Sequence, residues 1–323
     1  MNKIISFFKL IRLKNLIIIA ITQLLIKFCL INPPIFGINP SLSNAEFYLL
    51  VLATVLITAS GYIINDIYDV TTDIINKDQK RIIEKSITSK SAILWYIFLN
   101  AIGLLLAVYI AYIIQELVFA LIFLFCIVSL WIYSKNMKRS FLLGNLQIAF
   151  LTGLSILNVA LFDIVPNADS EKIKGELIIF KIILCYTAFA FITTLIREIV
   201  KDIEDIEGDK KINAKTIAIT CGIRKTKWVG LFLTTLTFFG ITYFQYFQYS
   251  VINSQFEYEI SGWGINKIAI FYSFLMQILL LLLGINIYRA QVKKEFYFIS
   301  QLCKIIMIIG ILSIPLFTYL HLN

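Results

Sequence analysis

Histidine is nearly missing from this 323-residue chain: the single one is His321, near the end of the sequence. The five cysteines, at 29, 126, 185, 221 and 303, form no CxxC pair, and all but Cys221 lie in or beside apolar runs. A zinc site, which wants His or Cys ligands, and a disulfide framework are both unsupported by such a set. Charge is scarce too. Only 15% of residues are charged and 59% are hydrophobic, whereas a soluble domain has about 25% charged and roughly 45–50% apolar residues. The mean hydropathy of +0.84 reflects an excess that runs the whole length and excludes a water-soluble core. The composition is that of an all-α polytopic membrane protein. The net charge of +9 does not mark a nucleic-acid binder, because the basic residues sit between apolar runs, as membrane topology requires. Low-complexity tracts and a soluble appendage are also lacking. No small-residue cleavage site follows Lys3, Lys9, Arg12 and Lys14, so the first apolar run is expected to be a retained span.

Apolar runs near the ~20 residues needed to cross a bilayer fall at about 14–31, 45–65, 91–113, 117–134, 142–163, 176–199, 228–248, 267–288 and 296–319. These nine are read as the spans of one integral membrane domain covering 1–323. Only Ile114-Gln115-Glu116 separates the third from the fourth, which predicts a tight helical hairpin. Lys and Arg set the orientation. One side collects 23 of the 29, in clusters at 3–14, 77–90, 135–139, 197–227 and 289–294. The opposite side or its flank has Lys27, Lys172, Lys174, Lys181 and Lys267, while Lys304 falls inside the last run. The positive-inside rule places the basic side in the cytoplasm. The opposite connections, 32–44, 164–175 and 249–266, read as turns and short lids with no catalytic pattern.

Carboxylates, scarce overall, are concentrated at two places on that basic side. The stretch Asn65-Asp66-Ile67-Tyr68-Asp69-Val70-Thr71-Thr72-Asp73 closes the second run. On a helix, Asp66, Asp69 and Asp73 take i, i+3 and i+7, with Asn65 four before Asp69, so all project from one face. Asp202, Asp205 and Asp209 repeat that spacing after the sixth run. A single acidic pair at a membrane boundary is more often the solvated end of a helix. The duplication changes that reading, because two acidic faces brought together repel by ~1 kcal/mol per pair at 4 Å in water and ~4 kcal/mol at an effective dielectric of 20. A cation is their natural partner, and oxygen-only ligands suit Mg²⁺, which is commonly shared with substrate phosphates.

Basic residues on the same side complete the pattern. Lys80 and Arg81 follow the first triplet, Lys135, Lys138 and Arg139 follow Tyr133-Ser134, and Arg197 and Lys201 precede the second triplet. Singly, each suits a topology determinant. Beside two metal-binding faces they describe a diphosphate site, with Mg²⁺ bridging carboxylate to phosphate and Arg and Lys taking the remaining charge. A diphosphate handled within a membrane bundle implies a lipid diphosphate whose tail lies between helices.

Over nearly its whole length the chain resembles the UbiA-type membrane prenyltransferases. Residues 65–73 fit that family's NDxxDxxxD motif, and Asp202 to Asp209 fit its second motif. Asn76 and Arg81 resemble the Asn and Arg of its following loop, without the usual prolines, and Arg12-Leu13-Lys14-Asn15 stands where RPxN is usual. The resemblance implies a UbiA-like bundle of eight or nine helices with a cytoplasmic-face active site. It implies catalytic and metal-binding roles for Asn65 and the two Asp triplets. Substrate contacts are implied for Arg12, Asn15, Tyr68, Lys80, Arg81, Tyr133, Lys135, Lys138, Arg139, Asn145, Arg197 and Lys201. Residues 197–209, and 133–139 through Gly144-Asn145, look most like the branch that makes digeranylgeranylglyceryl phosphate. That branch transfers a geranylgeranyl group from its diphosphate to the hydroxyl of geranylgeranylglyceryl phosphate. Homogentisate- and chlorophyll-type members have similar second motifs, and an aromatic-ring prenyltransferase of the 4-hydroxybenzoate, homogentisate or naphthoate type stays open as the alternative. Mg²⁺-assisted ionisation is the implied chemistry, with apolar walls and Tyr or Phe faces sheltering the allylic cation. Asp73 or Asp209 could take the acceptor's proton. A CDP-alcohol phosphotransferase would need a DG…AR…G…D arrangement that is not found. A transporter would place its charges inside the spans, not at one-sided ends.

Overall fold

The computed structural model describes residues 3–34, 37–76, 81–167, 173–255 and 266–322. Among the described residues the elements are helices: α1 (Lys3–Leu10), α2 (Leu13–Leu25), α3 (Asn44–Asn76), α4 (Ser89–Ile113), α5 (Ala120–Lys135), α6 (Leu143–Asp163), α7 (Ile173–Glu204), α8 (Ile206–Lys211), α9 (Ile217–Gln255), α10 (Lys267–Arg289) and α11 (Lys293–Leu322). A π-helical stretch, Ile26–Ile31, prolongs α2. Local chemistry sets several starts. Before α3 the Ser43 amide donates to Glu46 Oε2 at 2.7 Å and the Glu46 amide to Ser43 Oγ at 3.4 Å, a reciprocal capping box. Thr88 Oγ1 caps α4 by accepting from the Ser91 amide at 3.3 Å, and Asn266 Oδ1 caps α10 by accepting from the Ile268 amide at 2.8 Å.

Eight of these helices are long and apolar enough to cross a membrane, and they coincide with eight of the nine expected runs. The remaining run, 228–248, lies on α9, part of whose side chains fall outside the described set, and is not among the eight. Gly222 (φ 78, ψ 159) bends α9 near its start, a left-handed conformation that favours glycine. The expected hairpin at 114–116 forms, with Gln115 at φ 58 turning the chain from α4 to α5. Large apolar side chains cover the outside of the bundle, as a hydrocarbon environment requires: Leu94, Leu105 and Phe271 are 68%, 69% and 69% exposed.

Two apolar clusters, the largest of four among the described residues, hold most of the bundle together. One joins the end distant from the acidic stretches and contains Phe47, Phe123, Phe162, Ile179 and Phe317. The other runs along α7, α9, α10 and α11 through Ile196, Leu283, Phe296 and Ile306. Phe47 of α3 and Ile179 of α7 share the first cluster, so these helices start at the same end of the bundle and run in the same direction.

Within that end lies a buried ion pair. Lys27 Nζ is 2.6 Å from Asp163 Oδ2, both side chains are fully buried, and Lys27 also donates to the Leu42 carbonyl at 2.9 Å. The Leu42 amide donates to Asp163 Oδ1 at 3.0 Å and the Ser41 amide to the Asp163 carbonyl at 2.9 Å. Lys27 is therefore an internal tie between α2, α6 and the chain entering α3, and not one of the residues flanking the bilayer.

Candidate active site

Helix length carries the acidic residues beyond the apolar layer. At about 1.5 Å per residue, α3 with 33 residues and α7 with 32 are roughly 50 Å and 48 Å long. The hydrocarbon core is only ~30 Å thick, so the last turns of both emerge on one side. Asp66 and Asp69 lie near the C-terminal end of α3 and Asp202 in the last turn of α7. The helix macrodipole disfavours negative charge there, so these carboxylates need partners from other elements.

The partners come from three directions. Arg12 Nη2 donates to Asp66 Oδ1 at 3.1 Å, and the guanidinium also lies 4.6 Å from the centre of the Tyr62 ring. Arg12 sits in the break between α1 and α2 with φ 52, ψ 52. Backbone strain of this kind in a non-glycine residue collects at functional sites. Asn15 Nδ2 donates to the Tyr62 hydroxyl at 3.3 Å, completing the support. Asp69, buried, accepts from Asn65 Nδ2 at 3.0 Å and pairs with Lys138 Nζ. Asn145 Nδ2 of α6 donates to Asp202 Oδ2 at 2.7 Å.

The second triplet differs from its expected form. It is not carried on one unbroken helix: α7 stops at Glu204, Asp205 has φ −98 and ψ 7, and α8 begins at Ile206. The Asp205 carbonyl accepts from the Gly208 and Asp209 amides at 2.9 and 3.0 Å, so the break is a hydrogen-bonded turn. Its effect is to hold Asp209 within electrostatic reach of Asp202 while Asp205 points to Lys293, 3.9 Å away. Helix α8 packs on α3, and this contact brings the two acidic stretches together. Tyr133 of α5 lies between them, within electrostatic reach of Asp69, Asp202, Glu198 and Arg12.

Other expected residues are more peripheral. Lys135 is exposed, with Nζ 4.9 Å from the centre of the Trp131 ring. Arg139 is exposed, and its carbonyl accepts from the Lys215 amide at 2.8 Å, tying the 137–139 turn to the segment after α8. Tyr68 lies beside Tyr96 of α4. Arg81 is partly buried within the α3–α4 connection. In that connection Glu84 accepts from the Ser89 hydroxyl and amide, which holds its carboxyl below the usual range. Lys80 and the Asp73 side chain lie outside the described residues. Arg197 and Lys201 both grip Glu198, Arg197 through Nη1 and Lys201 at 3.1 Å, and Lys201 is also within electrostatic reach of Asp202. Glu198 was not singled out from the sequence, although basic residues at i−1 and i+3 were the available signal.

Close packing at Gly144 positions Lys138. A Cβ there would stand 2.6 Å from the Met137 carbonyl oxygen and 3.1 Å from Lys138 Cα, both backbone atoms that cannot swing aside. Gly144→Ala should displace the turn and lower kcat by about 10- to 100-fold, the scale of an ångström-sized misplacement. Wild-type kinetics in folded Gly144→Ala protein would show that the turn does not position Lys138.

The donor set fits a hard divalent cation. Asn65, Asp66, Asp69, Asp202 and Asp209 offer oxygens only, and Asn65 Oδ1 is buried without a hydrogen-bond partner. Among the described residues no three His, Cys, Asp or Glu side chains stand ready-made as a metal site; Arg12 and Lys138 occupy carboxylates that a cation would share. An apolar cleft of about 360 Å³ between α3, α4 and α5 is lined by Ile64, Tyr96, Ile127 and Trp131, and no acidic residue contributes to it.

Known proteins match this architecture. The digeranylgeranylglyceryl phosphate synthase of Saccharolobus solfataricus is 38% identical over 183 residues, covering 56% of this chain and 58% of that protein. The enzyme of the same name from Methanosphaera stadtmanae is 34% identical over 194 residues, 60% of this chain and 64% of its own. The matched region thus spans less than two thirds of these relatives' length. A solved structure of a digeranylgeranylglyceryl phosphate synthase superposes with a TM-score of 0.67 over 98% of this chain and 99% of that one, at 24% identity. A UbiA homologue from Archaeoglobus fulgidus, solved with GPP and Mg²⁺ bound, gives 0.56 over 96% and 99%, at 16% identity. At these identities the superpositions establish the fold. Residues 24–253, most of the chain and inclusive of both acidic stretches, match the model of the UbiA prenyltransferase family, and the chain belongs to that family.

Proposed function

We propose that the chain transfers a prenyl group, geranylgeranyl by preference, from its diphosphate to the hydroxyl of a glycerol-phosphate ether lipid. The observation that carries this reading is the meeting of two acidic stretches, 65–69 and 202–209, around Tyr133 with Lys138 and Arg12 beside them. The names of relatives 30–38% identical to this chain support the choice of acceptor. Asn65, both Asp groups and the GPP- and Mg²⁺-bound homologue support a magnesium requirement. Held by Asp66, Asp69, Asp202 and Asp209, Mg²⁺ would neutralise the leaving diphosphate.

The chain's own residues supply the rest. Lys138 and Arg12 stand where they can follow negative charge from carboxylate to phosphate oxygen. The C1–O bond of the allylic diphosphate breaks, the acceptor hydroxyl oxygen bonds to C1, and diphosphate departs. The hydroxyl proton passes to a carboxylate of the second motif. Apolar walls exclude water, which would otherwise consume the cation, and Tyr133 offers a ring face or a hydroxyl at the junction.

Purified protein given labelled prenyl diphosphates and a panel of acceptors should form product with geranylgeranylglyceryl phosphate only while Mg²⁺ is present. Turnover that survives EDTA would remove the metal's role. Prenylation of 4-hydroxybenzoate or homogentisate alone would overturn the acceptor assignment and favour the aromatic branch.

The site faces the cytoplasm in this reading, on the strength of the 23 basic residues gathered on its side. In a cysteine-free background, a cysteine at Asn213 should react only from the cytoplasm and one at Glu116 only from outside. Equal accessibility would sink the orientation.

A further inference from the structure

Lys304 is a charge inside a membrane-spanning helix whose place is not explained by topology. It lies about 16 Å along α11, at about 1.5 Å per residue from Lys293. It is partly buried and has no hydrogen-bond or ion-pair partner among the described residues. The charged groups within electrostatic reach of it are Arg197, Lys201, Glu198 and Arg12. Glu198 is already held on both oxygens, by Arg197 and Lys201. Arg197 Nε is buried without a partner, so one edge of its guanidinium remains open after Glu198 is bound. Arg12 is already answered by Asp66, so the three cations Lys304, Arg197 and Lys201 around the Glu198 carboxylate leave an excess of two positive charges between α7 and α11. Ionisable groups at such depth are costly unless something answers them.

We propose that Lys304, Arg197 and Lys201, braced by Glu198, form a binding site for a phosphate monoester dianion, separate from the diphosphate position beside Asp66, Asp69 and Lys138. The charge matches: a dianion cancels the excess of two. The donors match as well, with the open edge of Arg197 for two phosphate oxygens and a lysine ammonium for a third. The position is suitable because Tyr133 and Arg12 reach Glu198 on one side and the first acidic stretch on the other. A phosphorylated acceptor held here would bring its hydroxyl toward Asp202, which lies within electrostatic reach of Glu198. Assigning the dianion to the acceptor rests on the proposed function; the site itself does not.

Lys304→Met tests both, since Lys304 makes no hydrogen bond whose loss would unfold the chain. In nonionic detergent, wild-type protein saturated with Mg²⁺ and pyrophosphate should bind dodecyl phosphate, and Lys304→Met should bind it about tenfold more weakly or worse. Lys304→Arg should recover most of the affinity. Competition between pyrophosphate and dodecyl phosphate, or unchanged affinity in Lys304→Met, would overturn the separate site. In turnover assays, Lys304→Met should raise the KM for geranylgeranylglyceryl phosphate by a similar factor while the KM for the prenyl diphosphate stays within about twofold. An equal rise in both would also overturn it. If dodecyl phosphate binds as expected but the wild type prenylates only aromatic acceptors, the dianion site stands and the acceptor assignment fails.

Discussion

Alanine at Asp69 should lower turnover by about 10³-fold or more, and alanine at Asp202 should do the same. The two residues come from different helices and different motifs, yet they serve one anion-binding unit. Asp69 gathers Asn65 and Lys138, Asp202 gathers Asn145, and Tyr133 lies within reach of both. Once one half is gone the other has little left to act on, so the double variant should be scarcely worse than either single one. Single-turnover measurements with labelled geranylgeranyl diphosphate and saturating Mg²⁺ separate this from a defect in product release. Losses that multiply in the double variant would mean that the stretches act independently. Near wild-type rates in either single variant would remove that carboxylate from the mechanism.

The second large effect concerns stability. Lys27→Met should cost about 3–5 kcal/mol, because it leaves the Asp163 carboxylate buried without its cation. Both side chains are fully buried, and Asp163 also accepts from the Leu42 amide, so it has no route to water. At roughly 2–4 °C per kcal/mol, the scale for domains of about 150–250 residues, thermal unfolding in detergent should begin about 6 °C or more below that of the wild type. Lys27→Met combined with Asp163→Leu should recover much of the loss, since an apolar pair of similar volume removes the charge that breaking the pair strands. Turnover per folded molecule at low temperature should be retained, the pair lying at the end of the bundle away from the acidic stretches. A double variant no better than Lys27→Met alone would show that the hydrogen bonds to Leu42, and not the charge balance, hold this end.

Much of the architecture is legible in the sequence. Eight expected runs reappear as helices long and apolar enough to span a membrane, because hydropathy over about 20 residues is a local property. Asp66 and Asp69 do lie together on α3, because helical period is local as well. The second triplet shows where that logic stops: its spacing is helical, but Asp205 sits in a turn between α7 and α8. Lys135 and Lys138 were equivalent in the sequence, three residues apart in one basic cluster. Packing separates them, leaving one against Trp131 and delivering the other to Asp69.

The chain by itself determined the membrane character, the clustering of Lys and Arg between apolar runs, and the acidic stretches at the ends of two long helices. Each follows from composition or from spacing within a few turns. Only the tertiary structure decided which partners those charges meet. Lys138 reaches Asp69 across 69 residues, Asn145 reaches Asp202 across 57, and Lys27 reaches Asp163 across 136. Glu198 and Lys304 acquire their meaning in the same way, from the packing of α7 on α11. Such pairings depend on how each helix is rotated about its axis and how deep it sits against its neighbours. Those quantities are set by the fit of side chains between helices, Gly144 beneath the 137–139 turn among them, and not by any pattern along one helix.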